Sequence, residues 1–200
     1  MNTENRKPAA LTAAALLVAV MALAAIGCGG NDSTADPGAS APDYSKAIAK
    51  APPKLKALYE QGGKIAPGGL DAFSQQLADV EGYPVVVNNW ASWCGPCRTE
   101  WPWLQQAAAD DLDRVAFMGV NTDDEDAAAQ TFLDGHPVPY PSFADPDKAF
   151  IDAVGATTVG GLPNTLYFDR SGELVYTHQG PYTSEAQLDA DIQKYALGES

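Results

Sequence analysis

The sequence predicts an α/β domain built on a central mixed β-sheet flanked by helices on both faces. Its 200 residues are 46% hydrophobic and 19% charged, which is the balance of one soluble globular domain. Segments rich in β-branched residues alternate with segments whose apolar residues have helical spacing. Two short strands with a tight connection and a final helix end this alternation, and the tight connection predicts an antiparallel pair in the sheet.

A helical extension over 44–69 is expected in front of the main domain, which covers 70–200. Pro52 and Pro53 interrupt the helical spacing of the extension, so we expect one or two turns and then a short helix. A turn-rich loop should end the extension. Apolar residues three and four apart then predict an amphipathic helix over 70–80.

The rest of the main domain is predicted as alternating strands and helices. In order, we expect strand 83–88, helix 95–110, strand 115–120, helix 125–133, helix 145–154, strands 165–169 and 174–179, and helix 184–197. Asp123 or Asp124 can cap the second of these helices, and Ser184 the last. The proline-rich stretch 137–143 is expected to be too rigid for a central strand.

The chain is strongly acidic, with a formal net charge of −14 at pH 7. Residues 1–27 contain Glu4, Arg6 and Lys7 and carry +1, so their removal would leave −15. A body this acidic repels phosphate groups, which argues against nucleic acid and an anionic lipid surface as partners.

The N-terminus has the layout of a secretory signal. Two positive charges precede an apolar run over 9–26, and small residues lead to Cys28. This ending resembles the lipobox of bacterial lipoproteins, which implies a signal peptide over 1–27 and lipidation of Cys28, although Ala25 stands where that family more often has leucine. The alternative is an uncleaved membrane-spanning helix. Both interpretations place the body on the extracytoplasmic face of a bacterial cell membrane.

Residues 28–43 have the composition of a flexible linker, rich in glycine, serine, alanine and proline. Fully extended, this linker would reach roughly 50 Å. We therefore expect the domain to move over the membrane surface on a tether.

The segment Trp93-Cys94-Gly95-Pro96-Cys97 follows a predicted strand and opens a predicted helix. At the helix N-terminus, free amides and the helix dipole stabilise a thiolate, so the thiol pKa of Cys94 should fall from about 8.5 toward 7 or below. Two intervening residues allow Cys97 to form a disulfide with it. The alternatives are half of a zinc site, for which His136 and His178 would be the available histidines, and an inert disulfide.

Three motifs in the region 70–197 identify a resemblance to the thioredoxin superfamily, and most closely to its membrane-anchored TlpA and ResA type. They are Asn88-Asn89-Trp90-Ala91-Ser92-Trp93-Cys94-Gly95-Pro96-Cys97-Arg98, Gly119-Val120-Asn121 and Gly161-Leu162-Pro163-Asn164-Thr165. The resemblance implies a thioredoxin fold and thiol-disulfide oxidoreductase activity toward protein thiols and disulfides outside the cytoplasmic membrane. It implies no cofactor beyond the cysteine pair, and we expect a monomer.

Cys94, at the helix N-terminus, is expected to attack the partner, and Cys97, one turn further along the helix, to resolve the mixed disulfide. The resemblance implies that Pro163 follows a cis peptide bond and faces the cysteines. We expect a partner groove that involves Trp93, Gly95, Pro96 and Leu162.

Glu100 is the candidate for proton handling. It lies three residues after Cys97, as Cys97 lies three after Cys94, and this spacing places all three on one helix face. The TlpA and ResA type has a matching glutamate that adjusts the proton affinities of its cysteines. Asn88, where cytoplasmic thioredoxins have a buried aspartate, cannot take a proton. The alternative for Glu100 is a solvated helix residue.

Two rival functions use the same thiols. One is a thiol peroxidase on the same fold, although a peroxidatic cysteine works alone and a Cys-x-x-Cys pair suits exchange. The other is a copper-handling lipoprotein, against which the lack of a methionine-rich or histidine-rich tract argues.

Overall fold

The computed structural model describes residues 41–199. The predicted signal peptide 1–27, Cys28 and the linker up to residue 40 lie outside the described residues. The helices are α1 Ser45–Lys50, α2 Pro53–Tyr59, α3 Gly69–Asp79, α4 Gly95–Asp111, α5 Asp126–Gly135, α6 Phe150–Ala153 and α7 Glu185–Asp191. The strands are β1 Ile65–Ala66, β2 Val85–Trp90, β3 Ala116–Thr122, β4 Ser142–Asp145, β5 Asn164–Phe168 and β6 Leu174–Gln179.

Within 41–199 the strands form one mixed sheet in the order β1-β4-β3-β2-β5-β6. The first four strands of this order run parallel to one another, whereas β5 is antiparallel to both β2 and β6. Every residue of β2 and β3 is buried. Because side chains alternate between the faces of a strand, both faces of the sheet are covered at its centre. The predicted α/β class with a mixed sheet is confirmed.

The predicted helical extension contains both expected helices, α1 and α2. Leu55, Leu58 and Tyr59 of α2 are buried in the same core as the central strands. The loop predicted after α2 contains strand β1, whose two residues pair with β4 at the edge of the sheet. A strand of two residues is too short to show the alternation by which strands are predicted. None of the helices within 41–199 has both the length and the apolar character needed to cross a bilayer.

The sequence prediction for 137–154 is wrong in two places. Strand β4 begins at Ser142, inside the proline-rich stretch 137–143. A strand is possible here because Pro141 stands just before it, and the amide of Ser142 can donate to the Lys64 carbonyl at 2.9 Å. The helix predicted over 145–154 is shorter. Asp145 still belongs to β4, and the helix, α6, begins at Phe150 and ends at Ala153.

The end of the chain agrees with its prediction. Ser184 caps α7 by accepting from the amide of Gln187. The helix continues from Asp191 as a π-helix over Ile192–Ala196, which contacts β5 and β2. Leu188 and Ile192 are fully buried, so this C-terminal helical segment packs against the central strands.

Candidate active site

The cysteine pair lies where the central strand β2 turns into helix α4. Cys94 is the N-cap residue of α4, and its own amide donates to the carbonyl of Ala91 at 3.1 Å. The amide of Cys97 donates to Sγ of Cys94 at 3.2 Å. A free amide of the first helical turn is therefore directed at the sulfur on which the predicted thiolate would form.

Cys94 and Cys97 form a disulfide. Both residues are buried, whereas Gly95 and Pro96 between them are exposed. Trp93 is 60% exposed, which makes it the most exposed aromatic residue beside the pair. Trp93 and the Gly95-Pro96 segment therefore form exposed surface next to the buried disulfide.

Pro163 lies at the same end of the sheet as the cysteine pair. Asn89 of β2 pairs with Asn164 of β5, so the residues that precede β5 face the turn that follows β2. The Leu162–Pro163 peptide bond is cis, and Pro163 is buried.

A cleft of about 270 Å³ opens beside this turn, and Trp93 and Leu162 contribute to its wall. Asn89, Thr122 and Asn164 also line the cleft. Gly95 and Pro96 do not line it; they are exposed at the start of α4. Of the four residues predicted for a partner groove, the structure thus brings two together in one cleft.

Glu100 is 1% exposed, which excludes a solvated helix residue. Its carboxylate accepts from the amide of Tyr182 at 3.0 Å and from Nδ2 of Asn88 at 3.5 Å. Burial raises the pKa of Glu100 to about 7, against the opposing effect of these two hydrogen bonds. The side chain one helical turn beyond Cys97 can therefore gain or lose a proton near neutral pH.

The two histidines contact groups other than the cysteines. His136 follows α5, and its Nδ1 lies 3.0 Å from the Phe132 carbonyl oxygen. Nδ1 of His178, in β6, lies 3.1 Å from Oδ2 of Asp191, and the imidazole ring stacks on the ring of Tyr182. Both are engaged in local structural contacts.

Two residues of this region were missed by sequence reasoning. Tyr182 supplies the amide bonded to Glu100 across 82 positions of sequence. Asp124, predicted as a possible cap of α5, instead accepts from the backbone and hydroxyl of Ser92. Helix α5 begins after Glu125 with no side-chain cap. Only the pairing of β2 with β3 brings Asp124 next to Ser92, and that pairing has no local sequence signal.

Comparisons with known proteins agree with this arrangement. The family model described as Redoxin matches residues 37–192. A thiol-disulfide oxidoreductase ResA of Oceanobacillus iheyensis is 28% identical over 147 residues, covering 73% of this chain and 66% of that relative. This chain thus spans just under two thirds of that relative. A homologue of the thiol:disulfide interchange protein DsbE from Paracoccus denitrificans is 38% identical over 101 residues, covering 50% of this chain and 52% of the homologue.

A solved structure has the same fold. It is a thiol:disulfide interchange protein, a thioredoxin family protein, from Chlorobium tepidum, with a TM-score of 0.52 and 26% identity. The match covers 60% of this chain and 83% of that structure. The thioredoxin fold predicted from the sequence motifs is confirmed.

Proposed function

The chain belongs to the Redoxin family and is a TlpA/ResA-like member of the thioredoxin superfamily, and from that membership we propose an extracytoplasmic thiol-disulfide oxidoreductase. It exchanges disulfides with protein partners through the pair Cys94 and Cys97. The observation that carries the proposal is the disulfide at the N-terminus of α4, where the Cys97 amide points at Sγ of Cys94.

The exchange proceeds in two steps that conserve atoms and electrons. In the reduced protein the Cys94 thiolate attacks a partner disulfide, forms a mixed disulfide and releases one partner thiolate. The Cys97 thiolate then attacks Sγ of Cys94, which closes the Cys94–Cys97 disulfide and releases the second partner thiolate. Two electrons pass from the pair to the partner, and the reverse sequence oxidises a partner dithiol.

Glu100 is the proposed proton acceptor and donor for these steps. Each cycle moves protons on and off two thiols, and a buried group that titrates near the working pH can exchange them. The pKa of Glu100, which burial raises to about 7, meets this requirement. Asn88 is the neutral partner that keeps one carboxylate oxygen hydrogen-bonded.

The partner binds across Trp93, Gly95 and Pro96 and along the cleft beside Leu162 and Pro163. The exposed ring of Trp93 offers an apolar contact, and Leu162 and Trp93 share a wall of the cleft. A protein segment that contains the reacting cysteine can therefore lie over the buried disulfide.

The test is a pair of single-cysteine variants. Cys97→Ser should accumulate mixed disulfides with partner proteins, because Cys94 still attacks and nothing resolves the product. Cys94→Ser should trap far fewer. Trapped species are counted on non-reducing gels after acid quenching and alkylation of cells that express each full-length variant.

Equal trapping by both variants would contradict the assignment of roles. Hydrogen peroxide consumption that persists in Cys97→Ser would instead identify a thiol peroxidase. Stoichiometric copper in the isolated protein would favour a metal-handling lipoprotein.

The proposed location rests on the N-terminal sequence. An apolar run over 9–26 and small residues before Cys28 support export and lipidation, and this segment lies outside the described residues. The tether over 28–43 would keep the domain at the extracytoplasmic face of the membrane.

A further inference from the structure

We propose that Asp124 is a positioning residue whose hydrogen bonds fix the turn that contains Ser92 and Trp93, directly before Cys94. This fixed turn favours reaction with protein partners over reaction with small disulfides. The inference rests on the proposed function, since it concerns how the same site recognises its substrates. Asp124 itself lies on the loop between β3 and α5 and does not touch the cysteines.

One carboxylate accepts four hydrogen bonds in this loop. Oδ2 of Asp124 accepts from the amide of Ser92 at 2.5 Å and from Nδ2 of Asn121 at 3.1 Å. Oδ1 accepts from Oγ of Ser92 at 3.0 Å and from the amide of Glu125 at 2.9 Å. Two of the four donors belong to Ser92, the residue immediately before Trp93, so the carboxylate ties the turn after β2 to the turn after β3.

A second contact ties Trp93 to the same loop. Its indole Nε1 donates to the carbonyl of Asp123 at 2.7 Å, although the ring is 60% exposed. Asp123 has a φ of 55°, in the left-handed region that costs a non-glycine residue free energy. The surrounding contacts must hold this conformation, and the bonds of Asp124 lie directly beside it.

The consequence is an exposed aromatic ring with one fixed orientation. An exposed side chain on a free turn would have to lose its conformational freedom when a partner binds, and a pre-ordered one has already lost it. The Asp124 contacts therefore favour the association of a protein partner with Trp93. A small disulfide reagent reaches Cys94 without using the Trp93 ring, so it should gain nothing from the fixed turn.

The experiment compares a protein and a small-molecule disulfide in the Cys97→Ser background, where only the attack by Cys94 is observed. In this background Asp124→Ala should slow mixed-disulfide formation with insulin about tenfold, because the Trp93 side chain must then lose its conformational freedom when insulin binds. The rate with 5,5′-dithiobis(2-nitrobenzoate) should change less than twofold. Asp124→Asn keeps one carbonyl oxygen as acceptor, so its rate with insulin should lie between that of Asp124→Ala and that of the parent.

Iodide quenching of tryptophan fluorescence gives a readout that does not depend on activity. Trp90, Trp101 and Trp103 are buried, so quenching reports mainly on Trp93. Asp124→Ala should increase the quenching constant and lower the fluorescence anisotropy. Asp126→Asn is the matched control, because Asp126 is an exposed acid two residues away whose change removes the same charge.

Three results would overturn the inference. They are equal slowing with insulin and with the small reagent, no slowing with either, and unchanged quenching in Asp124→Ala. If Asp124→Ala unfolds, Asp124→Asn and Ser92→Ala carry the same comparison with fewer lost bonds. Absence of any reaction between insulin and the Cys97→Ser parent would instead count against the proposed function, and the quenching result would still test the role of Asp124.

Discussion

Glu100 combines complete burial with a position one helical turn beyond Cys97. The amide of Tyr182 and the side chain of Asn88 bind its carboxylate, and burial raises its pKa to about 7. Below that pH the side chain is predominantly neutral, and above it the helix carries a buried negative charge three residues after Cys97. A negative charge disfavours a second one nearby, so the ionisation of Glu100 and that of the cysteines should be coupled.

Glu100→Gln tests this coupling in the reduced protein. Glutamine keeps the size of the side chain and removes the charge, so the apparent thiol pKa values should fall by about one unit. Cysteine alkylation should then be faster in the variant at pH 7 to 8. The rates of variant and parent should converge below about pH 5, where Glu100 is protonated.

Alkylation rates measured against pH check this prediction, with Glu60→Gln as the control because Glu60 is exposed at the end of α2. Superimposable profiles for Glu100→Gln and the parent would show that the buried carboxyl has no effect on the thiols.

At the scale of elements, α2 is joined to the central sheet by one buried hydroxyl. The Tyr59 hydroxyl donates to the carbonyl of Val115 and accepts from the amide of Phe117 at 3.1 Å. These two backbone groups lie at the start of β3, and Tyr59 is 3% exposed. The helical extension is thereby part of the core that supports the site.

Tyr59→Phe should lower the free energy of unfolding by about 1 to 3 kcal/mol, because it leaves a buried carbonyl and a buried amide without their partner. Urea unfolding followed by circular dichroism measures the change. Tyr83→Phe serves as the control, since Tyr83 is only partly buried. A loss equal to that of the control would mean that the two backbone groups find other partners.

Elements with strong periodicity were predictable from the sequence to within one or two residues. Strand β2, the start of α4 and strand β6 follow from β-branched runs, a helix-opening Gly-Pro and a hairpin connection. Strand β4 was not predictable, because it exists through pairing with β3 and β1 rather than through its own pattern. Helix α6 was predicted too long, since the Asp145 carboxylate instead accepts from the amides of Ala149 and Phe150.

At the scale of the whole molecule, the candidate site also contains features that local sequence predicts and contacts that only the folded chain brings together. The cysteine pair and the face of Glu100 follow from spacings of three along one helix, which local geometry fixes. The partners of those residues do not. Tyr182 reaches Glu100 from 82 positions away, and Asp124 reaches Ser92 from 32. Such contacts depend on the packing of the complete chain.

The proposed attachment to a membrane is tested on the whole chain. Cys28→Ala should abolish lipid labelling and cleavage at that position, because the lipidated cysteine would become the first mature residue. The measurement is metabolic labelling with a fatty acid, together with the size of the protein in membrane and soluble fractions. Labelling and cleavage that persist unchanged in the variant would contradict the lipoprotein interpretation.

The hydrogen bond between Glu100 and Tyr182 also sets an order of events during biosynthesis. Cys94 and Cys97 emerge from the ribosome well before Tyr182. The hydrogen bond between Glu100 and Tyr182 joins residues 82 positions apart. Until the C-terminal segment docks, the Glu100 carboxylate lacks this hydrogen bond, which opposes the rise of its pKa in the folded protein. A chain that stops before Tyr182 would therefore carry both thiols beside a glutamate that lacks its shorter hydrogen bond, and only a chain that includes the C-terminal segment has the complete site.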